Sequence, residues 1–202
     1  MGTQLTPDDN IRIQRGIWEK YCKVAVNPEG LFNYPTGLAG LEALNYDAAL
    51  VGALPEVITA LYCGVGNPFS LDKINQGEAV LDIGCGVGVD TILAANMVGP
   101  SGKVVGIDLV SDMLERAKSN LQMTNLENVI FIKETAEKLN FPDESFDVVI
   151  SNGVFNLIPG KAGAVAEAFR LLKAGGRILI ADQVLVGELQ KDLKARVDTW
   201  FQ

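Results

Sequence analysis

From Val80 onward, short runs of β-branched and aliphatic residues alternate with longer amphipathic stretches. This is how a parallel sheet joined by crossover helices reads. The pattern predicts strands over 79–83, 103–108, 128–133, 146–151 and 176–182. A first helix is expected from Val89 to Val98, closed by Gly99-Pro100, a stop residue followed by one that cannot continue the helix. A second starts at Ser111 as N-cap, with Asp112 and Glu115 in its first turn favouring the helix dipole, and ends near Asn125. A third spans Lys161 to Lys173 and stops at Gly175-Gly176, and a last helix covers 188–202. The fold class is therefore α/β, a doubly wound parallel sheet over residues 71–202.

Residues 1–70 read differently, as a helical extension. Ile13, Ile17, Tyr21 and Val24 recur at helical spacing and are taken as a packing face, with Asp8, Asp9 or Asn10 as the cap. Asn33-Tyr34-Pro35-Thr36-Gly37 is turn-rich, and helices are expected over 38–44 and 47–62. An extension of this size has to pack somewhere, so it is expected to lie as a lid over a small-molecule site, with Tyr34 and Thr36 as substrate-binding candidates. No further strand follows the fifth, so its outer edge is expected to be open. Either the chain is truncated or a second copy completes the sheet as a homodimer.

Composition narrows the chemistry. With 48% hydrophobic and 21% charged residues the chain is of folded, globular type. The net charge is −8 and the 17 Lys and Arg are scattered, so a nucleic-acid partner is not expected. No apolar run approaches the roughly 20 residues of a membrane span, and the first residues lack a signal-peptide pattern, so no membrane association and a cytoplasmic location are expected. Cys22, Cys63 and Cys85 form no C-x-x-C pair and are read as free thiols, small residues of the core and of the loop, with no metal site. Histidine is absent altogether. That excludes Ser-His and Cys-His nucleophile pairs, His-ligated metals and the commonest general base.

The strongest local signal is Val80-Leu81-Asp82-Ile83-Gly84-Cys85-Gly86-Val87-Gly88-Val89-Asp90, a strand running through a glycine-rich turn into a helix. Glycines at 84, 86 and 88 permit a tight turn and let a ligand lie against bare backbone. The dinucleotide fingerprint would need glycine at position 89, which is valine. Asp82, two residues before the first glycine, would repel a pyrophosphate but favour an ammonium, and S-adenosylmethionine carries an amino-acid ammonium and no phosphate. Asp108 ends the second strand, where a carboxylate can accept from both ribose hydroxyls of an adenosine ligand.

Residues 80–90, Asp108, the segment Glu134 to Pro142, the strand Phe146 to Asn152 and the segment Leu171 to Arg177 occur in an order that resembles the motifs of class I S-adenosylmethionine-dependent methyltransferases, a Rossmann-like family. The resemblance implies S-adenosylmethionine as cofactor, with Asp82, Gly84, Cys85, Gly86 and Gly88 at its methionine end and Asp108 at the ribose. Leu109 and Met113 are counted with these, Thr135, Ala136 and Glu137 with the adenine edge, and Ser151, Asn152 and Gly153 with the rim beside the transferable methyl. Asp147 is read as structural. The acceptor is expected beyond the carboxyl ends of the first and fourth strands, near Asn152 and Asn156.

Gly64-Val65-Gly66-Asn67-Pro68 and Ser151-Asn152-Gly153-Val154-Phe155-Asn156-Leu157 resemble, more narrowly, the arsenite methyltransferase branch, which has cysteines where Val65 and Gly153 stand here. A third cysteine of that branch would fall beyond Gln202, so the usual three-thiolate arsenic site is not matched. Three readings stand at this point: a small-molecule methyltransferase, a nicotinamide-dependent oxidoreductase, and a module that binds the cofactor without catalysis.

Overall fold

The computed structural model describes residues 5–184, 186–187, 193–198 and 200. The chain begins with α1 (Pro7–Val24), α2 (Gly37–Ala43), α3 (Ala48–Gly52) and α4 (Glu56–Thr59), followed by a 3-10 turn at Pro68–Ser70. It then alternates β1 (Ala79–Ile83), α5 (Val89–Val98), β2 (Lys103–Asp108), α6 (Ser111–Leu121), β3 (Val129–Lys133), β4 (Phe146–Asn152), α7 (Lys161–Leu171), β5 (Leu172–Ala181) and α8 (Leu193–Asp198). All strand pairs are parallel and the sheet order is β3-β2-β1-β4-β5. This is the doubly wound Rossmann-like arrangement, with β5 at one edge and the order reversing between β1 and β4. No helix among the described residues is long and apolar enough to cross a membrane.

Strand alternation sorts the core into layers. Val80, Val104, Phe131, Val148 and Ile150 pack with Ala94, Val98 and Ala117 in one cluster, while Leu81, Ile83, Val105, Ile107 and Val149 pack with Ala164, Ala168 and Leu171 in another. A third cluster joins the extension to the sheet domain: Val24, Leu41, Ile58 and Tyr62 pack with Val87, Val89, Ile92 and Met113. The first turns of α5 and α6 thus carry both the glycine loop and the packing surface of the N-terminal helices.

Several local expectations are corrected. The cap of α1 is Thr6 rather than Asp8, Asp9 or Asn10: its hydroxyl accepts from Asp9 N at 3.2 Å while Asp9 accepts from Thr6 N at 3.0 Å. This capping box is helped by Pro7 in the first turn, where a missing N–H costs nothing. The helix drawn over 47–62 is two short ones, because Pro55 interrupts it and Asp47 caps the first through Ala49 N and Leu50 N. Ser111 lies inside α6, whose cap position is Val110, and α6 ends at Leu121 rather than Asn125. The third crossover helix ends at Leu171 and the fifth strand starts at once, at Leu172 rather than 176, since Lys173 is drawn to Asp147 at 2.8 Å and Leu172 pairs with Phe146 across a register shift. Of the helix expected over 188–202, only Leu193–Asp198 is helical among the described residues, and the remainder lies largely outside them. Asp147 is structural, as read: it also accepts from Ala79 N at 2.8 Å, clipping β4 to the start of β1.

Gly88 opens α5 with φ +84°, and a Cβ there would lie 2.7 Å from Phe131 Cζ and 3.1 Å from Ala117 Cβ. Backbone conformation and overpacking therefore oppose any side chain. Gly88→Ala is expected to destabilise the fold by about 2 kcal/mol or more, read as a lower urea midpoint at unchanged slope. An unchanged midpoint would show that Phe131 is free to move aside.

Candidate functional site

The glycine turn is pinned to the end of β2. Gly84 N and Cys85 N both donate to Ile107 O, at 2.8 and 2.9 Å, and Gly88 N donates to Cys85 O at 2.8 Å. Gly86 N donates to Asp108 Oδ2 at 2.9 Å, while Asp108 Oδ1 accepts from Val110 N at 2.9 Å. Gly84 has φ +74°, and a Cβ on it would fall 2.2 Å from Val154 Cγ2. Gly86, at φ +53°, has only Met113 Cε within ordinary contact distance of such an atom. The loop is thus clamped at 84 and bare at 86.

Over this loop opens a cavity. Its floor is Asp82 to Val87, with Asp90 from the first turn of α5. One wall is Asp108, Leu109 and Met113, another is Glu134 to Glu137, and Asn152, Gly153, Val154 and Leu157 to Pro159 close the far side. The extension roofs it with Gln14, Ile17, Tyr21 and Leu61 to Gly64.

Five carboxylates line this space, Asp82, Asp90, Asp108, Glu134 and Glu137, and among the described residues no Lys or Arg does. Asp82 and Asp90 are buried, and Asp108 is half-buried. Asp82, 2% exposed, accepts from Thr91 Oγ1 at 2.6 Å. Burial holds its carboxyl well above the usual carboxylate range, and the neighbouring Asp90 and Asp108 push it in the same direction. Burial also raises Asp108, although the amide N–H groups of Val110, Gly86 and Leu109 pull it back. Asp90 is pushed up to about 6 by burial, against the hydrogen bonds from Asn152 and Tyr46. Burial likewise keeps the Cys63 thiol protonated, pushing it up to about 12.

Of the cofactor residues expected from sequence, Asp82, Gly84, Cys85, Gly86, Asp108, Leu109, Met113, Thr135, Ala136, Glu137, Asn152 and Gly153 come together around the cavity. Gly88 and Ser151 do not line it: Gly88 supports Phe131, and the fully buried Ser151 hydroxyl donates to Ile83 O at 2.9 Å, tying β4 to β1. The substrate candidates Tyr34, Thr36 and Asn156 also lie outside the lining. Tyr34 Oη instead donates to Cys63 O at 3.1 Å, bracing a wall residue from behind, while Thr36 precedes α2 and Asn156 N donates to Asp182 Oδ2 at 3.0 Å. Asn152 faces the cavity, but its side chain is engaged by the extension: Oδ1 accepts from Val65 N at 2.9 Å and Gly66 N at 3.1 Å.

Sequence reasoning missed Asp90 and the lining role of Cys63, and it expected the extension as a lid but through Tyr34 and Thr36 rather than Gln14, Ile17 and Tyr21. Ile17 and Tyr21 sit in the stripe read as packing, yet only Ile13 and Val24 of that stripe are fully buried. The usable signal for Asp90 was an acid two residues past the last glycine of the loop, on the helix face nearest any bound ligand.

The residues fit S-adenosylmethionine. Bare backbone at Gly86 admits close approach, a carboxylate stands at the end of β2 for a ribose, and the acids without an adjacent base suit a cation rather than a pyrophosphate.

Removing one buried charge should show in stability. The folded chain holds the Asp82 proton to higher pH than the unfolded chain does, so this group costs stability progressively as pH rises from about 4. Asp82→Asn, ligand-free, is expected to melt above the wild type at pH 8, with the difference shrinking toward pH 4. A constant or reversed difference would contradict the burial of this acid.

Comparison with known proteins agrees with this architecture. A family profile described as methyltransferase domain matches residues 74–201. The chain is 38% identical over 164 residues to an arsenite methyltransferase of Halobacterium salinarum, covering 81% of this chain and 42% of the relative. It is 42% identical over 104 residues to a demethylmenaquinone methyltransferase of Lactococcus lactis, covering 51% and 41%. The structure of an arsenic(III) S-adenosylmethionine methyltransferase from Chlamydomonas reinhardtii superposes with a TM-score of 0.62 at 36% identity, covering 66% of this chain and 47% of that one. The chain therefore spans less than half the length of these relatives. With its five-stranded doubly wound sheet and matching domain, the chain belongs to the class I S-adenosylmethionine-dependent methyltransferases, on the side of the arsenite methyltransferases.

Proposed function

We propose that the protein transfers a methyl group from S-adenosylmethionine to a small, uncharged acceptor. The observation that carries this reading is the cavity itself, five carboxylates without a lysine or arginine among the described lining residues. Such a field favours a sulfonium and an ammonium and disfavours phosphates and anionic acceptors. Asp108 would hold the ribose, Gly84 to Gly86 the amino-acid end, and Thr135, Ala136 and Glu137 the adenine edge. The donor, when bound, supplies an electrophilic methyl. The protein's part is to orient the two reactants and exclude water, which accounts for much of the acceleration in such transfers. The apolar roof of Ile17 and Leu61 and the far wall at Leu157 to Pro159 serve that exclusion.

Arsenite is disfavoured as acceptor. Val65 and Gly153, where the arsenite branch has cysteines, face each other: a Cβ on residue 153 would lie 3.2 Å from both Val65 methyls. Cys63 and Cys85, both held as thiols by burial, are two scattered sulfurs and do not supply the ligands of a soft three-coordinate ion. The free state of Cys22, Cys63 and Cys85 supports a reducing, cytoplasmic location.

The test is calorimetric titration with S-adenosylmethionine and S-adenosylhomocysteine, followed by transfer of labelled methyl to phenolic, quinol, thiol and arsenite acceptors. Saturable binding of both ligands is expected, weakened roughly tenfold or more by Asp108→Ala, with transfer to an uncharged organic acceptor exceeding that to arsenite. Absence of binding would sink the donor assignment. Preferred transfer to arsenite would sink the acceptor class alone.

A further inference from the structure

We infer that Asp90, rather than Asp82, is the carboxylate that receives the amino-acid ammonium of the donor, and that Tyr46, Tyr62 and Asn152 are positioning residues that hold it for that contact. The inference rests on S-adenosylmethionine being the donor.

Asp90 stands in the first turn of α5 on the cavity floor, beside the glycine loop. Tyr46 Oη donates to its Oδ1 at 2.8 Å, and Asn152 Nδ2 reaches its Oδ2 at 2.9 Å. One bond to each oxygen fixes the carboxylate plane and leaves each oxygen a lone pair for a ligand. Asp82 is more deeply set, 2% exposed against 7% for Asp90. Burial, and after it the charges of Asp90 and Asp108, hold Asp82 well above the usual carboxylate range, whereas Asp90 is pushed up only to about 6. A helix N-terminus repels a cation, so an ammonium seated there needs a carboxylate in that turn, and Asp90 is the acid present.

The surrounding network is built more firmly than a packing role requires. Asn152 Nδ2 has four acceptors within 3.1 Å, Tyr46 Oη, Tyr62 Oη, Gly66 O and Asp90 Oδ2, for two N–H groups. Tyr62 Oη lies 3.0 Å from both Tyr46 Oη and Gly66 O. Tyr46 and the asparagine ending β4 therefore meet on one carboxylate in the cavity, and Tyr62 braces both of them. This also gives the Asn152 side chain its work, which is orientation of Asp90.

The test compares S-adenosylhomocysteine, which keeps the ammonium, with 5′-deoxy-5′-methylthioadenosine, which lacks the whole amino-acid end, by calorimetry on the full chain. Asp90→Asn is expected to weaken the first ligand roughly tenfold or more and to leave the second within about twofold. Retained binding of the second ligand shows that the site is folded. Asp90→Ser is the second variant, with the same expected split. Tyr46→Phe, which keeps the charge, is expected to produce a smaller loss confined to the first ligand. Loss of a contact to the ligand's carboxylate cannot imitate this result, because removing a negative charge would strengthen that contact. If both ligands weaken alike in both Asp90 variants, or neither weakens, or Asp82→Asn alone gives the split, the assignment is overturned. If wild type binds neither ligand, the donor reading itself fails.

Discussion

Three carboxylates, Asp82, Asp90 and Asp108, meet around one cavity whose described lining offers no Lys or Arg, the first two buried and the third half-buried. Desolvation of this kind is expensive unless hydrogen bonds meet each oxygen. The structure meets them unequally: Asp108 has backbone N–H groups, Asp90 has Tyr46 and Asn152, and Asp82 has Thr91. Every one of the three is still raised above its ordinary value, so in each case burial outweighs the bonds. A positively charged ligand would relieve that strain in the folded state only, which links ligand affinity to stability by mass action.

The sheet order explains why these acids meet. β1 is central, flanked by β2 and β4, and consecutive parallel strands end on one side of the sheet. Asp82 near the end of β1, Asp108 at the end of β2 and Asn152 at the end of β4 therefore arrive together where the order reverses, which is where open α/β sheets bind ligands. The glycine loop has no latitude in this arrangement, because Ile107 O takes two of its amides on one side and Val154 presses on Gly84 from the other.

Much of this was legible in sequence because it is local. The limits of β1, β2 and α5, the glycine loop and the acid ending β2 follow from period-2 runs, punctuation and positions close together in the chain. What was not legible depends on partners far apart. β5 starts earlier than its pattern suggests because Lys173 answers Asp147, 26 residues away. Ile17 and Tyr21 look like packing residues in a helical stripe, and only the sheet domain beneath decides that they roof a cavity. The break at Pro55 is different, since a proline is a local signal of interruption that the sequence itself carries. For Asn152, position indicated the cavity rim correctly, but its side-chain partners, Tyr46, Tyr62 and Gly66, lie 86 to 106 residues away.

The same distance argument applies to Val65 and Gly153. In sequence they are two separate departures from the arsenite branch, each of which could be drift. In the structure they touch: position 153 has φ +72°, which favours glycine, and the volume a side chain would take is bounded by the Val65 methyls. Asn152, next in the chain to one of them, binds the amide of the other. A bulkier residue at 65 and the absence of one at 153 are therefore a single complementary change across the contact between extension and sheet. It forms a closed apolar contact at that point, beside the glycine loop and the acids of the cavity.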